Sequence, residues 1–195
     1  NDATLEIGAG DRIALSGRNG AGKSTLLHLL VGLRQPRSGH VEAFGRMCRT
    51  EQDFLVVRRK VALLFQDSED QLFCPTVLED VAFGPLNLRH PPPEARRLAL
   101  AALEQVGLSD YADRITHHLS AGEKKLVAMA TMLSMNPRML ILDEPTAGLD
   151  EEAVERVVNI LAGLDAAQLI VSQDAAFLRR TARTRLRLAD GRLVS

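Results

Sequence analysis

The sequence is poor in aromatic residues and carries no excess of one charge. Among its 195 residues there is no tryptophan and a single tyrosine, so no aromatic platform for stacked bases is evident. The 24 Lys and Arg residues nearly balance the 25 Asp and Glu residues, which excludes a general attraction to nucleic acid or to an anionic membrane. The longest stretch without a charged residue, residues 126–137, is too short to span a bilayer. We therefore predict no nucleic-acid partner and no membrane-spanning segment.

Cysteine is also scarce. Cys48 and Cys74 are far apart in the sequence, so neither a disulfide framework nor a CxxC site is predicted. The five histidines form no ligand pattern, and the adjacent His117 and His118 would point in different directions on regular secondary structure. We expect no secretion signal, a reducing cytosolic setting and no structural metal site.

What the sequence does contain is a glycine-rich stretch at residues 17–25, GRNGAGKST. It matches the phosphate-binding loop pattern, in which two glycines separated by four residues are followed by Lys and Ser. Residues 12–16 before it predict a strand and residues 24–33 after it predict a helix, which is the context that the motif requires. The residues expected to surround phosphate are Gly17, Arg18, Asn19, Gly20, Ala21, Gly22, Lys23, Ser24 and Thr25.

The chemistry expected of this loop follows from its residue types. Glycines let backbone N–H groups approach phosphate oxygens without a Cβ in the way. The positive N-terminal end of the following helix points at the same anion. Lys23 would reach the β- and γ-phosphates, and the Ser24 hydroxyl would hold Mg²⁺. The alternative interpretation is a glycine-rich strand-to-helix turn with a solvated lysine.

Short apolar segments alternate with helical patterns along the rest of the chain. Strands are predicted at residues 5–7, 12–16, 41–44, 61–65, 139–142 and 169–172, together with a hairpin over 185–194 that turns at Asp190-Gly191. Helices are predicted from Thr76 to Gly84-Pro85, over 91–106, from 119–123 to about 134, and over 151–161. The pattern predicts an α/β fold with a mainly parallel sheet, interrupted by a helical insertion over residues 67–137.

Two acidic residues, Asp143 and Glu144, directly follow the predicted strand at 139–142. In open α/β sheets, ligands bind beyond the carboxyl ends of the strands, where the phosphate loop also lies. Asp143 would then hold Mg²⁺, and Glu144 would polarise the water that attacks the γ-phosphate. A solvated turn or a helix N-cap is the alternative interpretation of this pair.

Taken in order, these motifs resemble those of the ATP-binding cassette (ABC) ATPases. They are the phosphate loop, a glutamine at Gln66, the signature LSAGE at residues 119–123, the strand and acids at 140–144, and the AGLD segment at 147–150. The resemblance implies a RecA-like P-loop core lobe (residues 1–66 and 138–195) with an inserted helical lobe (residues 67–137). It also implies ATP and Mg²⁺ as ligands, and an ATPase reaction.

The resemblance further implies partners and residue roles. ABC ATPases form head-to-tail homodimers, or heterodimers with another ABC ATPase, in which each ATP lies between one subunit's phosphate loop and the other's signature. On that basis Gln66 would contact Mg²⁺ and report the nucleotide state to a membrane partner, and Asp150 would act across the dimer interface. The signature residues that contact the partner subunit's ATP would be Ser120, Ala121, Gly122 and Glu123.

Three positions depart from the family pattern. Ala121 stands where the signature usually has glycine. Gln173 follows the strand at 169–172, where the family has a histidine that contacts the γ-phosphate. We therefore hypothesise that hydrolysis is slowed while ATP binding and dimerisation persist. No aromatic residue precedes Gly17 in this sequence, the first being Phe44. Because the family stacks an upstream aromatic ring on adenine, we expect either that the chain is truncated or that its contacts with the base are weak.

The stretch after Gln66 resembles one type of ABC ATPase in particular. Residues 66–73 (QDSEDQLF) and 76–87 (TVLEDVAFGPLN) are similar to the cytosolic ATPases of energy-coupling-factor importers, especially those for cobalt or nickel. In that group the segment forms a groove for a coupling helix of the transmembrane subunit, on the inner face of the cell membrane. The expected contacts are Asp70, Gln71, Leu72 and Phe73.

Other interpretations stay open from the sequence alone. Leu72 and Phe73 are core residues in the alternative interpretation of that segment. The transported substrate, a cobalt or nickel ion or a vitamin, would not touch this chain. Two alternative functions also stay open. The chain could be a soluble cassette protein of DNA repair or translation, or a nucleotide-responsive module that hydrolyses ATP weakly.

Overall fold

The computed structural model describes residues 3–189 and 191–194. Its strands are β1 (Arg12–Ser16), β2 (Val41–Ala43), β3 (Arg46–Cys48), β4 (Val61–Leu64), β5 (Met139–Asp143), β6 (Ala167–Val171), β7 (Thr184–Ala189) and β8 (Arg192–Val194). Its α-helices are α1 (Lys23–Leu30), α2 (Glu51–Arg58), α3 (Val77–Asn87), α4 (Pro92–Gln105), α5 (Ala121–Leu133), α6 (Glu151–Gly163) and α7 (Ala175–Thr181). Short 3-10 helices cover Ser109–Tyr111 and Thr116–His118.

The main sheet has the strand order β4-β5-β6-β1-β7-β8, and β2 pairs with β3 in a two-stranded sheet. β1 lies between β6 and β7 and is parallel to both, and β5 is parallel to β6. β7 and β8 form the antiparallel hairpin that the sequence predicts. Of its predicted turn, Asp190 lies outside the described residues. The predicted α/β class with a mainly parallel sheet is confirmed.

By packing, the chain divides into two compact units. The core unit comprises the described residues of 1–63, 138–143 and 165–195, and the helical unit comprises 64–137 and 144–164. Residues 144–164, which contain α6, therefore pack with the helical insertion. Within that unit, Arg156 of α6 donates from Nη1 to the Val106 carbonyl at 3.1 Å. The lobe boundaries implied by the family resemblance remain a prediction.

The interior of the core unit is built from the central strands. Ile13 and Leu15 of β1 and Ile141 of β5 are at most 4% exposed, as are Leu169 and Val171 of β6. Such continuous apolar strands are typical of parallel sheets whose two faces are both covered. Side chains of α1, of its C-cap residue and of α2 complete the same cluster, namely Leu27, Val31, Phe54 and Val57. This rigid layer supports the loops that follow β1, β5 and β6.

Some predicted local structure is wrong. Residues 5–7 form no strand. α1 ends at Leu30, earlier than predicted, because the chain turns at Gly32, whose φ of 73° is left-handed. α2 and α7 are not predicted, although each begins at a polar side chain that caps it, Thr50 and Asp174 respectively. Helices of eight and seven residues are too short to give a clear periodic signal.

Helix α3 continues through Gly84-Pro85, where the sequence predicts its end. A proline in a helix leaves the carbonyl four residues earlier without its usual donor. Here that carbonyl belongs to Val81, and the buried hydroxyl of Ser134 donates to it at 2.9 Å. Glycine at 84 lets the helix approach Met135, since a Cβ there would lie 2.6 Å from the Met135 Cγ. Tertiary contacts thus replace the bond that proline removes.

Replacing Ser134 by alanine should show how much its hydrogen bond to the Val81 carbonyl contributes to stability. The Val81 carbonyl would remain buried without a donor, so we expect Ser134→Ala to lower the free energy of unfolding by about 1–3 kcal/mol. Urea denaturation followed by circular dichroism measures it. Ser68 supplies a matched control, because its hydroxyl is buried and has no hydrogen-bond partner among residues 3–189 and 191–194. Ser68→Ala should leave stability unchanged or higher; equal losses in the two variants would contradict this account of α3.

Candidate nucleotide-binding site

The backbone of residues 17–22 is shaped by glycines between β1 and α1. Gly17, Gly20 and Gly22 have φ values of 153°, 78° and 98°, which side chains with a Cβ rarely adopt. At Gly17 an added Cβ would lie only 2.6 Å from the Leu188 carbonyl oxygen of β7. Glycine is therefore needed where the loop leaves the sheet, next to its neighbouring strand.

The N-terminus of α1 is left without a side-chain cap. Its N-cap residue is Gly22, and its first turn holds no acidic residue. By contrast, Thr50, Thr76 and Ser120 cap α2, α3 and α5 through their hydroxyls. The first N–H groups of α1 and its positive dipole end thus remain for an anion. This arrangement fits a bound phosphate.

Lys23 lies over the phosphate loop. Its ammonium donates to the carbonyls of Gly17 at 2.9 Å and Arg18 at 3.2 Å. These bonds hold the charge at the loop, in contrast to the extended, solvated lysine of the alternative interpretation. A phosphate cradled by the loop would meet this cation directly.

Ser24 and Asp143 come together from distant parts of the sequence. The Ser24 hydroxyl donates to Asp143 Oδ2 at 2.8 Å, and Asp143, at the end of β5, is only 6% exposed. A hydroxyl and a carboxylate are oxygen ligands of the kind that Mg²⁺ prefers. No group of three or more His, Cys, Asp or Glu residues in the described parts of the chain could enclose a metal. An ion here would take its remaining ligands from phosphates and water, which is how Mg²⁺ binds in nucleotide sites.

Gln173, which comes shortly after β6, also reaches the phosphate loop. Its amide nitrogen lies 3.5 Å from the Asn19 side-chain oxygen, and its side chain is exposed. Three predicted features of the core unit therefore meet at the carboxyl ends of β1, β5 and β6: the phosphate loop, Asp143 and Gln173. Ligands bind at this edge in open α/β sheets.

Within the helical unit, the signature stretch forms the start of α5. Ser120 is its N-cap and, with Glu123, forms a capping box. Glu123 Oε2 accepts hydrogen bonds from the Ser120 backbone N–H and hydroxyl, both at 2.8 Å. Gly122 faces the backbone of Gly148, where an added Cβ would lie 3.2 Å from the carbonyl oxygen. The signature and the AGLD segment are thus neighbours in this unit, and Ala121 is exposed.

The second oxygen of Glu123 is held by residues that the sequence analysis does not identify. The Tyr111 hydroxyl donates to Oε1 at 2.7 Å, and an Arg114 guanidinium nitrogen lies 3.6 Å from the same oxygen. Arg114 also stacks over the Tyr111 ring, 3.6 Å from its centroid. The hydrogen bonds that Tyr111 and Ser120 donate to the Glu123 carboxylate lower the pKa of Glu123. The same bond to Glu123 raises the pKa of Tyr111, because it stabilises the protonated phenol. No known motif spacing marks these two residues.

Asp150 and Glu144 have distinctive backbone roles. Asp150 is the N-cap of α6, and its Oδ1 accepts from the Ala153 N–H at 2.8 Å. Asp150 thus caps a helix at a position for which the family resemblance predicts a role in the dimer interface. Glu144 follows Asp143 directly and has a left-handed φ of 48°, which is uncommon for a residue other than glycine and typical of constrained positions.

Gln66 begins a segment that α5 holds in place. Lys125, only 4% exposed, donates from Nζ to the Gln66 carbonyl at 2.6 Å. The Gln71 side chain accepts from the Phe65 N–H at 3.3 Å and donates to Thr131 at 3.2 Å. Gln71 is therefore bonded inside the unit, and Lys125 is a buried cation that the sequence analysis does not identify.

The remaining predicted partner contacts differ in exposure. Leu72 is only 7% exposed, so the core interpretation applies to it and no partner contact is proposed for its side chain. Asp70 is exposed, and Phe73 is 62% exposed. The Phe73 ring meets that of Phe83 edge-on, with centroids 4.8 Å apart. An exposed pair of aromatic rings is unusual for a surface without a partner.

A groove in the helical unit lies beside this pair of rings. It has a volume of about 410 Å³ and is lined mainly by apolar side chains of α3 and the start of α4, among them Leu78, Ala82, Phe83 and Leu86. Cys74 lines it too, and burial raises the pKa of Cys74 to about 11, so its thiol stays neutral.

None of the described helices is long and apolar enough to cross a membrane.

Comparison with known proteins identifies the family. A family model described as ABC transporter matches residues 1–147. A putative ABC transporter ATP-binding protein of Brucella suis is 51% identical over 98% of this chain and 80% of its own length. An energy-coupling factor transporter ATP-binding protein, EcfA, of Methanosphaera stadtmanae is 48% identical over 83% of this chain and 58% of its own length. The cobalt import ATP-binding protein CbiO of Rhodobacter capsulatus is 47% identical over 86% of this chain and 60% of its own length.

Solved structures agree. The cbiO1 protein of Clostridium perfringens, described as part of the ABC transporter complex cbiONQ, has a TM-score of 0.85 and 34% identity over 98% of this chain and 78% of its own. The cassette MJ0796, in a dimeric post-hydrolysis state bound to ADP and phosphate, has a TM-score of 0.90 and 27% identity over 100% of this chain and 88% of its own. The predicted P-loop fold of an ABC ATPase is confirmed. The chain therefore belongs to the ABC transporter family, as an ATP-binding subunit with ATPase activity.

Proposed function

We propose that this ATPase drives an importer of the energy-coupling-factor type, as a dimer with a second ABC ATPase and bound to transmembrane subunits. The observation that carries the ATPase chemistry of this proposal is the 2.8 Å hydrogen bond between Ser24 and Asp143, because it joins the phosphate loop to the acid that follows β5. Relatives named EcfA and CbiO support the importer type. The cargo is a cobalt or nickel ion or a vitamin, and the protein lies on the inner face of the cell membrane, held there by its partners.

The reaction is transfer of the γ-phosphoryl group to water. Lys23 and the N–H groups at the start of α1 bind the β- and γ-phosphates. Ser24, Asp143 and Gln66 would hold Mg²⁺, which would neutralise charge on the phosphate oxygens. Glu144 accepts a proton from water as its oxygen attacks the γ-phosphorus, and the bond from that phosphorus to ADP breaks. Gln173 donates to the γ-phosphate, and the signature of the partner subunit covers the other side of the nucleotide.

Coupling to the membrane runs through the helical unit. The exposed Phe73 and Phe83 and the adjoining groove accept an apolar helix of the transmembrane subunit, and Asp70 lies at the polar rim. Asp150 contacts the second ATPase across the dimer interface. Since Lys125 fixes the Gln66 carbonyl, movement of this segment reaches the signature helix.

The central experiment measures phosphate release with Mg·ATP. Glu144→Gln should lower turnover by about 10²–10⁴-fold, since it removes the general base while keeping the side-chain shape. ATP binding should persist. Turnover equal to wild type would contradict the role of Glu144, and an inactive wild type that still binds ATP would favour the nucleotide-responsive module motivated by Gln173.

A second measurement addresses Gln173. Gln173→His should raise turnover by about tenfold, because a charged donor binds the γ-phosphate more strongly than a neutral amide. Gln105→His, an exposed position at the end of α4, is the matched control and should have no effect. An unchanged rate in Gln173→His would reject slowed hydrolysis as the consequence of this residue.

The coupling groove is tested with the transmembrane subunits in detergent. Phe73→Ala should weaken the complex by about tenfold, as loss of a central aromatic contact does, and should leave ATP affinity unchanged. Phe44→Ala is the matched control, because Phe44 is exposed to 44% but belongs to the core unit. If Phe73→Ala reduced ATP affinity and left the complex intact, Phe73 would be a structural residue.

A further inference from the structure

The hydroxyl of the signature serine, Ser120, is hydrogen-bonded to an acidic neighbour, Glu123. A hydroxyl has one hydrogen to donate. The hydroxyl oxygen of Ser120 lies 2.8 Å from Glu123 Oε2 and donates its hydrogen to that oxygen. To donate to a phosphate oxygen, Ser120 must turn this hydrogen away from the carboxylate. Glu123 therefore competes with the nucleotide for the same donor, and its negative charge also opposes an anion at the start of α5.

The strength of this competition depends on what else Glu123 binds. Tyr111 donates to Oε1 at 2.7 Å, and Arg114 supplies a positive charge 3.6 Å from that oxygen. A carboxylate that already accepts a strong donor and faces a cation is a weaker acceptor at its second oxygen. Arg114 is itself held by the Tyr111 ring, so the two side chains act on Glu123 together.

We propose that Tyr111 and Arg114 are positioning residues that hold Glu123 through its other oxygen and offset its charge, so that Ser120 is released to the ATP of the partner subunit. This inference rests on the proposed function, in which the signature contacts that ATP. It adds residues that touch neither the nucleotide nor the metal and act only through Glu123. In this chain the affinity of the signature for ATP is thus set by a phenol and a guanidinium outside the motif.

Hydrolysis kinetics over a range of ATP concentrations test the proposal in a double-mutant cycle. Tyr111→Phe keeps the ring and the Arg114 contact but removes the donor, and should raise the half-saturating ATP concentration about fivefold with little change in kcat. Glu123→Gln should lower that concentration, because glutamine can still close a capping box but carries no charge. In the Glu123→Gln background, Tyr111→Phe should change it less than about twofold.

The outcomes separate this inference from the proposed function. If wild type hydrolyses ATP but Tyr111→Phe has no effect, or has the same effect in both backgrounds, the inference is wrong and the ATPase site stands. If wild type binds ATP without hydrolysing it, the proposed function fails. Arg114→Gln is the second variant and should act in the same direction as Tyr111→Phe, so a folding defect in one variant does not decide the result.

An absorbance titration tests the hydrogen bond independently of activity. The chain has one tyrosine and no tryptophan, so the near-ultraviolet band of tyrosinate reports Tyr111 alone. The bond to Glu123 raises the pKa of Tyr111, because ionisation removes the proton shared with a carboxylate. Glu123→Gln should therefore lower this pKa. Identical titrations of wild type and Glu123→Gln would overturn the proposal.

Discussion

The hydrogen bond between Ser24 and Asp143 is the contact on which the proposed chemistry depends. It holds the first turn of α1 against the end of β5, although more than a hundred residues separate the two partners in sequence. The bond is possible because β1, β6 and β5 are neighbouring parallel strands, so their carboxyl ends open on one edge of the sheet. The same geometry places Gln173 beside Asn19. A sheet whose central strands are mainly apolar thus positions a small polar site.

In the helical unit, residues that start helices also carry proposed functional roles. Ser120 and Asp150 both cap helices through their side-chain oxygens, and both are placed by the family resemblance at a dimer interface. A capping residue is held firmly and lies at the exposed, electropositive end of its helix. Stability and recognition therefore draw on the same oxygen atoms here. This overlap explains why neighbours such as Glu123 and Tyr111 bear on function.

The sequence predicts the site where a motif demands particular residue types, and misses it where packing alone decides. The strand–loop–helix around Lys23 and the acid at Asp143 follow from glycine pattern and strand hydrophobicity. Lys125 and Tyr111 carry no such pattern, since their partners lie in other segments and only the folded chain brings them together. The continuation of α3 through Pro85 is hidden for the same reason, because the hydroxyl that satisfies Val81 comes from Ser134. Leu72 and Phe73 are neighbours of similar hydrophobicity, yet only Phe73 is exposed. The solvent exposure of a side chain in a loop therefore does not follow from the local sequence.

The central claim is that Ser24 and Asp143 hold a magnesium ion together with ATP on the phosphate loop. Calorimetric titration of ATP into wild type and Asp143→Asn, each with Mg²⁺ and with EDTA, tests it most directly. The account predicts that Mg²⁺ tightens ATP binding to wild type and that Asp143→Asn loses most of this gain, since a neutral amide is a weaker ligand for the ion. Equal gains from Mg²⁺ in both proteins would contradict the account.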